Sequence, residues 1–180
     1  QEHPDIATSL NILGLINMRQ EKFSKAQTYF EDALHMRLNF WGEDHPDVLK
    51  TRNDLGSIHF FEGNYMRAAD LFKQVVASNK KVRGPDHPEV ATSLNNLAMS
   101  LRKADRKDKA IEYYKEALEI GQKNYSEEHP KLVQFRKNTA ILYEELNQYQ
   151  KASELWHQNF KVHKQKNGIN NSNAKEALNH

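Results

Sequence analysis

The sequence has no cysteine among its 180 residues. Disulfide bridges, zinc sites with thiolate ligands and cysteine nucleophiles are therefore excluded. A cysteine-free chain is compatible with the cytosol, and we expect a cytoplasmic location. The sequence also lacks any run of about 18 apolar residues and any apolar leader, so it predicts neither a membrane-spanning helix nor an export signal.

An excess of charge of one sign is missing as well. The 26 Lys and Arg residues and the 24 Asp and Glu residues leave a formal net charge of only +2. Proteins that bind nucleic acids or acidic membranes commonly carry a strong basic field, so we expect neither as a partner. One basic stretch, residues 102–109, could contact nucleic acid or an acidic peptide, but a solvated turn is the simpler interpretation.

Motifs for catalysis and cofactor binding are also absent. There is no Gly-rich phosphate loop, no nucleophile elbow and no HExxH pattern. The Ser and Asp residues are scattered along predicted helix surfaces, where solvation explains them. We therefore predict that the chain is not an enzyme and needs no cofactor or metal.

The sequence does contain a repeat, marked by a His-Pro dipeptide. It occurs every 42 residues, at His3-Pro4, His45-Pro46, His87-Pro88 and His129-Pro130. A period of this length indicates a repeat protein in which each unit packs on its neighbours. Four histidines in register could suggest a metal site, but copies one period apart do not converge in such an array. We interpret each Pro as the first residue of a helix, followed by an acid that favours the helix dipole at Asp5, Asp47 and Glu89.

Each unit is predicted to form two antiparallel helices. In the third copy Val90, Leu94, Leu97 and Leu101 recur at helical spacing, which predicts a first helix over 89–103. The other first helices are expected near 5–19, 47–61 and 131–146. The second helices are expected near 23–40, 65–82 and 149–166, with that of the third copy ending near residue 125.

The units themselves cover residues 1–42, 43–84, 85–126 and 127–168. Residues 169–180 are expected to form a frayed tail or the start of a further helix, since the fifth His-Pro is replaced there by Asn171-Ser172. Because the sequence begins in mid-pattern without Met, we expect it to be a segment of a longer protein.

Small and bulky residues alternate between the two helices of each unit. The small residues are Gly14, Gly56, Ala98 and Ala140, and the rings are Phe30, Phe72, Tyr114 and Trp156. This pattern resembles the tetratricopeptide repeat, in the 42-residue form of kinesin light chains and nephrocystin-like proteins, over residues 1–168. The resemblance implies an all-α fold, a right-handed α-solenoid of four antiparallel helix pairs whose concave face is lined by the first helices.

The first helices carry the candidate binding residues on the side turned away from their own partners. Asn11, Asn53 and Asn95 share one repeat position, although Asn is unfavourable inside a helix. An amide offers donors and an acceptor together, as an extended peptide requires, and the resemblance implies that such a ladder clasps peptides. The predicted peptide-binding groove comprises Asn11, Leu15, Met18, Lys50, Asn53, Ser57, Phe60, Thr92, Asn95, Met99, Arg102 and Lys137.

Two interpretations of these positions remain open. In the first, the Asn residues hold a peptide backbone, the apolar residues take its side chains, and Lys50, Arg102 and Lys137 attract acidic residues, which the ligands of kinesin light chains carry. In the second, the Asn residues brace neighbouring first helices and the apolar residues pack between repeats. For the whole chain we predict a protein–protein interaction scaffold. The alternatives are a structural spacer or self-association module, and a regulatory domain of a larger protein.

Overall fold

The computed structural model describes residues 4–177, with side chains for residues 4–164. Within that range the chain forms eight α-helices and no strand. The helices are α1 (Pro4–Arg19), α2 (Phe23–Trp41), α3 (Pro46–Phe61), α4 (Tyr65–Arg83), α5 (Pro88–Lys103), α6 (Lys107–Asn124), α7 (Pro130–Glu145) and α8 (Tyr149–Ala177). The odd-numbered helices are the predicted first helices and the even-numbered ones the second helices. Their bounds confirm the predicted ones to within one residue, except at the end of α8.

Helix α8 is longer than predicted. It continues through Gly168 to Ala177, so the described part of residues 169–180 extends this helix and is neither a frayed tail nor a separate helix. Helices α2 and α4 end just before Gly42 and Gly84, and each of these glycines is followed within four residues by a Pro that cannot continue a helix. No Pro follows Gly168, and an internal Gly costs only about 1 kcal/mol, so the helix can propagate past it.

The His-Pro pairs start the first helices, as predicted. Pro46, Pro88 and Pro130 are the first residues of α3, α5 and α7, and each preceding histidine is the N-cap. The Nδ1 atoms of His45, His87 and His129 accept a hydrogen bond from the backbone N–H two residues on, at 3.1–3.2 Å. Such a bond satisfies one of the donors that a helix leaves unpaired at its N-terminus. His3 lies outside the described residues.

Close approach within a pair depends on the small residues of the first helices. A Cβ atom at Gly14 would lie 2.6 Å from the ring of Phe30, and one at Gly56 would lie 2.8 Å from the ring of Phe72. Both rings are buried, as is Tyr114. Trp156 is only half-buried, and its Nε1 donates to Glu144 Oε1 at 2.7 Å. The predicted packing of a ring against a small residue is thus confirmed for three copies, and it is looser in the fourth.

Helices α2, α4 and α6 each pack between two successive first helices. We call these packing regions the first junction (α1, α2 and α3), the second junction (α3, α4 and α5) and the third junction (α5, α6 and α7). First helices also contact each other directly, as α5 does α7, whereas α4 and α6 meet through the long side chains of Lys80 and Glu116. Closer spacing on one side curves the stack, so the first helices line its inner face.

Candidate functional site

The inner face carries the residues predicted for the groove, but they differ in exposure. Two are exposed, Lys50 and Lys137. Two are buried, Asn11 at 3% and Asn95 at 8% of their accessible surface. The remaining eight are half-buried: Leu15, Met18, Asn53, Ser57, Phe60, Thr92, Met99 and Arg102. Ten of the twelve side chains are thus partly or almost entirely buried, and only the two lysines are fully exposed.

Two of the three ladder amides link successive first helices. Asn53 Oδ1 accepts a hydrogen bond from Asn96 Nδ2 at 3.1 Å, and Asn95 Oδ1 accepts one from Asn138 Nδ2 at 2.8 Å. Each bond joins two Asn residues that are 43 residues apart, which is one repeat period plus one residue. The amide oxygens therefore brace neighbouring first helices, as the second interpretation holds, and only Asn53 keeps a half-exposed side chain.

Asn11 belongs to a different network. Its Oδ1 accepts hydrogen bonds from Arg37 Nη1 at 3.0 Å and from Thr51 Oγ1 at 3.1 Å. The Arg37 side chain, which is only 3% exposed, also donates to the Asp47 carbonyl at 3.1 Å. Burial lowers the pKa of Arg37, and the charges of Asp47 and Asp54 oppose that shift. A buried cation thus fills the first junction.

The apolar groove residues contact the core and the surface at once. Phe60 and Met99 pack against the larger core cluster, and Leu15 and Met18 pack against a smaller one around Phe30. Leu15 and Met18 also line an apolar cavity of about 330 Å3 with two rings that sequence reasoning missed, Phe23 and Phe61. These rings stack with their centroids 6.0 Å apart, and Phe61 is 60% exposed.

The second junction contains a polar cleft of about 320 Å3. Three residues of the predicted groove line it: Lys50, Asn53 and Thr92. The cleft is also lined by residues that were not predicted, chiefly Asn79 and Arg83 of α4 and Asn96 of α5. The predicted groove contained residues of first helices only. It therefore missed the side chains of a second helix that lie between two first helices. One feature of the sequence indicates that Arg83 is unusual. It lies one period from Trp41 and from Tyr125, so a cation replaces an aromatic ring at this repeat position.

The charges of the inner face are not all available to a ligand. Glu89 lies 3.8 Å from Lys131, whose Nζ also donates to Thr92 Oγ1 at 3.1 Å. Arg102, predicted to attract acidic residues, has its Nε 3.5 Å from Glu145, a carboxylate that it shares with Lys107. Lys50 and Arg83 are both exposed. The cleft is therefore lined by two cations, Lys50 and Arg83, and by one anion, Glu89, which is paired with Lys131, so its lining carries a net positive charge.

Neither a metal site nor a membrane span is found in the described part of the chain. Its His, Asp and Glu side chains nowhere gather in a group of three that could hold a metal ion. None of its helices combines the length and the apolar character needed to cross a bilayer.

Comparisons with known proteins agree with this geometry. The family model described as tetratricopeptide repeat matches residues 5–81, 47–123 and 97–155. BtubC (BKLC) from P. vanneervenii superposes with a TM-score of 0.85 at 21% identity, over 93% of this chain and 67% of that one. No curated protein matches the sequence.

Two further solved structures share the fold. The putative kinesin light chain repeat protein of Podosopora anserina has a TM-score of 0.79 at 23% identity, over 92% of this chain and 79% of that one. The apo form of RapI has a TM-score of 0.82 at 14% identity, over 96% of this chain and 61% of that one. At these identities the likeness concerns the fold alone. With the family match, it confirms the predicted all-α solenoid of tetratricopeptide repeats.

Proposed function

This chain belongs to the tetratricopeptide repeat family, and on that premise we propose that it is a non-catalytic scaffold that binds a peptide segment of a partner protein in its concave groove. Repeats of this family generally serve as protein-interaction modules. The cysteine-free sequence is compatible with a cytoplasmic setting for such an interaction.

The observation that carries the proposal is the mixed character of the inner face. Half-buried apolar side chains such as Phe60 and Met99 lie on the same first-helix stripes as the polar residues Asn53 and Thr92. Peptide-binding surfaces combine anchor sites for side chains with polar groups that fix the backbone. The parts of Phe60 and Met99 that stay accessible can serve as such anchor sites, although both side chains also pack against the core.

The residues have different roles in this proposal. Asn53 remains able to contact a peptide backbone, because its Nδ2 has no acceptor among the described residues while its Oδ1 is engaged by Asn96. Lys50 and Lys137, exposed on α3 and α7, would attract acidic residues of the partner. Asn11 and Asn95 support the groove from beneath and contribute to its stability.

Selection from a displayed library of random 12-residue peptides tests the proposal. Peptides selected on the wild-type chain are measured for affinity by fluorescence anisotropy against the double variant Lys50→Glu/Lys137→Glu. We expect a loss of tenfold or more, equivalent to about 1.4 kcal/mol, because two attractive charges become repulsive. Lys115→Glu, an exposed lysine on the second helix α6, is the matched control and should bind as the wild type does.

Two results would contradict the proposal. One is a library that yields no peptide with measurable affinity. The other is a set of peptides whose affinity falls with Lys115→Glu and not with the groove variant, since these would bind the outer surface. Sedimentation over a range of concentrations, run in parallel, separates peptide binding from self-association of the chain.

A further inference from the structure

The three junctions place different side chains at equivalent positions. In the first junction Arg37 reaches Asn11 and Thr51 and fills the space between α1 and α3. In the third junction the equivalents of Arg37 and Thr51 are Gly121 and Phe135. The Phe135 ring is 3% exposed and lies so close that a Cβ at Gly121 would be 2.9 Å from it. At this repeat position both junctions are therefore filled by the protein's own side chains, although the first junction has an apolar cavity at its other end, beside Leu15 and Phe61.

The second junction has smaller side chains at the same two positions, Asn79 and Ser93. Neither is long enough to fill the space, and the polar cleft of about 320 Å3 lies there. Its volume is at the lower end of the range for ligand-binding clefts, about 300–1,000 Å3. The cleft thus lies where these two repeat positions carry small side chains, between the second and third copies.

Arg83 is held at this cleft by a specific contact. Its Nε donates to Asn79 Oδ1 at 3.3 Å, and Asn79 is itself only 5% exposed. The two Nη groups of Arg83 have no acceptor among the described residues. In the neighbouring copies the residue at this position is an aromatic that stacks on the capping histidine, Trp41 on His45 and Tyr125 on His129. Arg83 takes no such part in capping, so its guanidinium is available to a ligand.

We propose that the second junction binds one acidic side chain of the partner segment, with its carboxylate held between Lys50 and Arg83. This inference rests on the proposed function and adds a subsite to which a second helix contributes. A guanidinium can bind a carboxylate through two parallel hydrogen bonds, and an ammonium adds a point charge. Asn79 is a positioning residue, because it acts on the ligand through Arg83.

A double-mutant cycle tests the subsite. In the selected peptides each Glu is replaced in turn by Gln and each Asp by Asn, and binding is measured to the wild type, Arg83→Gln and Lys50→Gln. We expect one acidic position whose replacement weakens wild-type binding about tenfold or more. The same replacement should have little further effect once Arg83 is Gln. Arg67→Gln, an exposed arginine on the same helix, is the control and should leave the cycle unchanged.

The outcomes separate this inference from the proposed function. If peptides bind but no acidic position couples to Arg83 or Lys50, the subsite is wrong and the scaffold proposal stands. If no peptide binds, both fall. A peptide whose coupling disappears when its C-terminus is amidated, and not when its side chains are changed, would show that the cleft takes a terminal carboxylate and would overturn the side-chain assignment. Circular dichroism of each variant confirms that the helices remain folded.

Discussion

The second and third junctions are built from the same elements in the same order, yet one contains a polar cleft and the other is packed. The third is closed by the buried ring of Phe135 against Gly121. The second has Ser93 and Asn79 at those positions, and its cleft is lined by Lys50 and Arg83. In a solenoid each interface is local, so one junction can be open while its neighbours provide the stability. The same repeat position can therefore serve the core in one copy and a ligand in the next.

The largest effect is expected from a variant that opens the packed third junction. Phe135→Ser copies the residue of the second junction and removes a buried ring, so we expect a loss of about 3–5 kcal/mol in the free energy of unfolding. Urea denaturation followed by circular dichroism measures it. Ser93→Ala, the control at the equivalent position, should cost less than about 1 kcal/mol. A similarly small loss for Phe135→Ser would mean that the ring does not hold the third junction together.

A smaller effect is expected when the first junction is made to resemble the second. Arg37→Asn introduces the residue type found at the equivalent position, Asn79. It removes the buried hydrogen-bond donor that Asn11 and Thr51 share. We expect a loss of about 2–3 kcal/mol in the free energy of unfolding, because hydrogen bonds from a charged group are worth about that much. Arg83→Asn should cost far less, since the Arg83 side chain is exposed. Equal losses for the two variants would show that Arg37 has no special role.

The smallest effect concerns Asp54, which stands where Asn96 and Asn138 stand in the later copies. Burial raises its pKa, while a hydrogen bond from Asn11 and the charges of Lys50 and Arg37 oppose the rise. Its Oδ2 is buried without a partner among the described residues. A carboxyl with a raised pKa in the folded state contributes stability below its unfolded pKa of about 3.9, and that contribution is lost as the pH rises through the folded pKa.

Asp54→Asn should therefore gain stability relative to the wild type as the pH rises above about 4. Urea denaturation of both proteins between acidic and neutral pH gives the difference in unfolding free energy at each pH. The control is Asp70→Asn, an exposed carboxylate on α4, for which we expect a smaller change. A difference that is constant with pH, or that falls as the pH rises, would contradict the assignment of burial as the dominant influence on Asp54.

Sequence reasoning located the helices well because their signals are local. The His-Pro pairs marked the helix starts, and the capping role of His45, His87 and His129 adds a reason for the dipeptide that periodicity alone did not reveal. The end of α8 was predicted too early, since Gly168 without a following Pro does not stop a helix. The residues predicted for the groove lie on the first helices, but the burial of Asn11 and Asn95 depends on neighbouring copies.

The residues missed at the cleft, Asn79 and Arg83, show the same limit. They lie on a second helix, and they meet Lys50 only because α4 packs between α3 and α5. A substitution that interrupts a repeat pattern, such as Arg83 between Trp41 and Tyr125, would have pointed to them. Such a break identifies a position that differs, but it does not reveal which side chains surround it.

By itself, the sequence determined the period, the helices and the family, because these depend on spacing along one chain and on contacts within a single repeat. Tertiary structure decided which amides are buried and in which junction the polar cleft lies. Those properties depend on the volumes of three or more side chains from different helices, such as Gly121 with Phe135 or Asn79 with Ser93. Packing is a property of the space shared by neighbours, and a repeat pattern specifies positions without specifying how that space is filled.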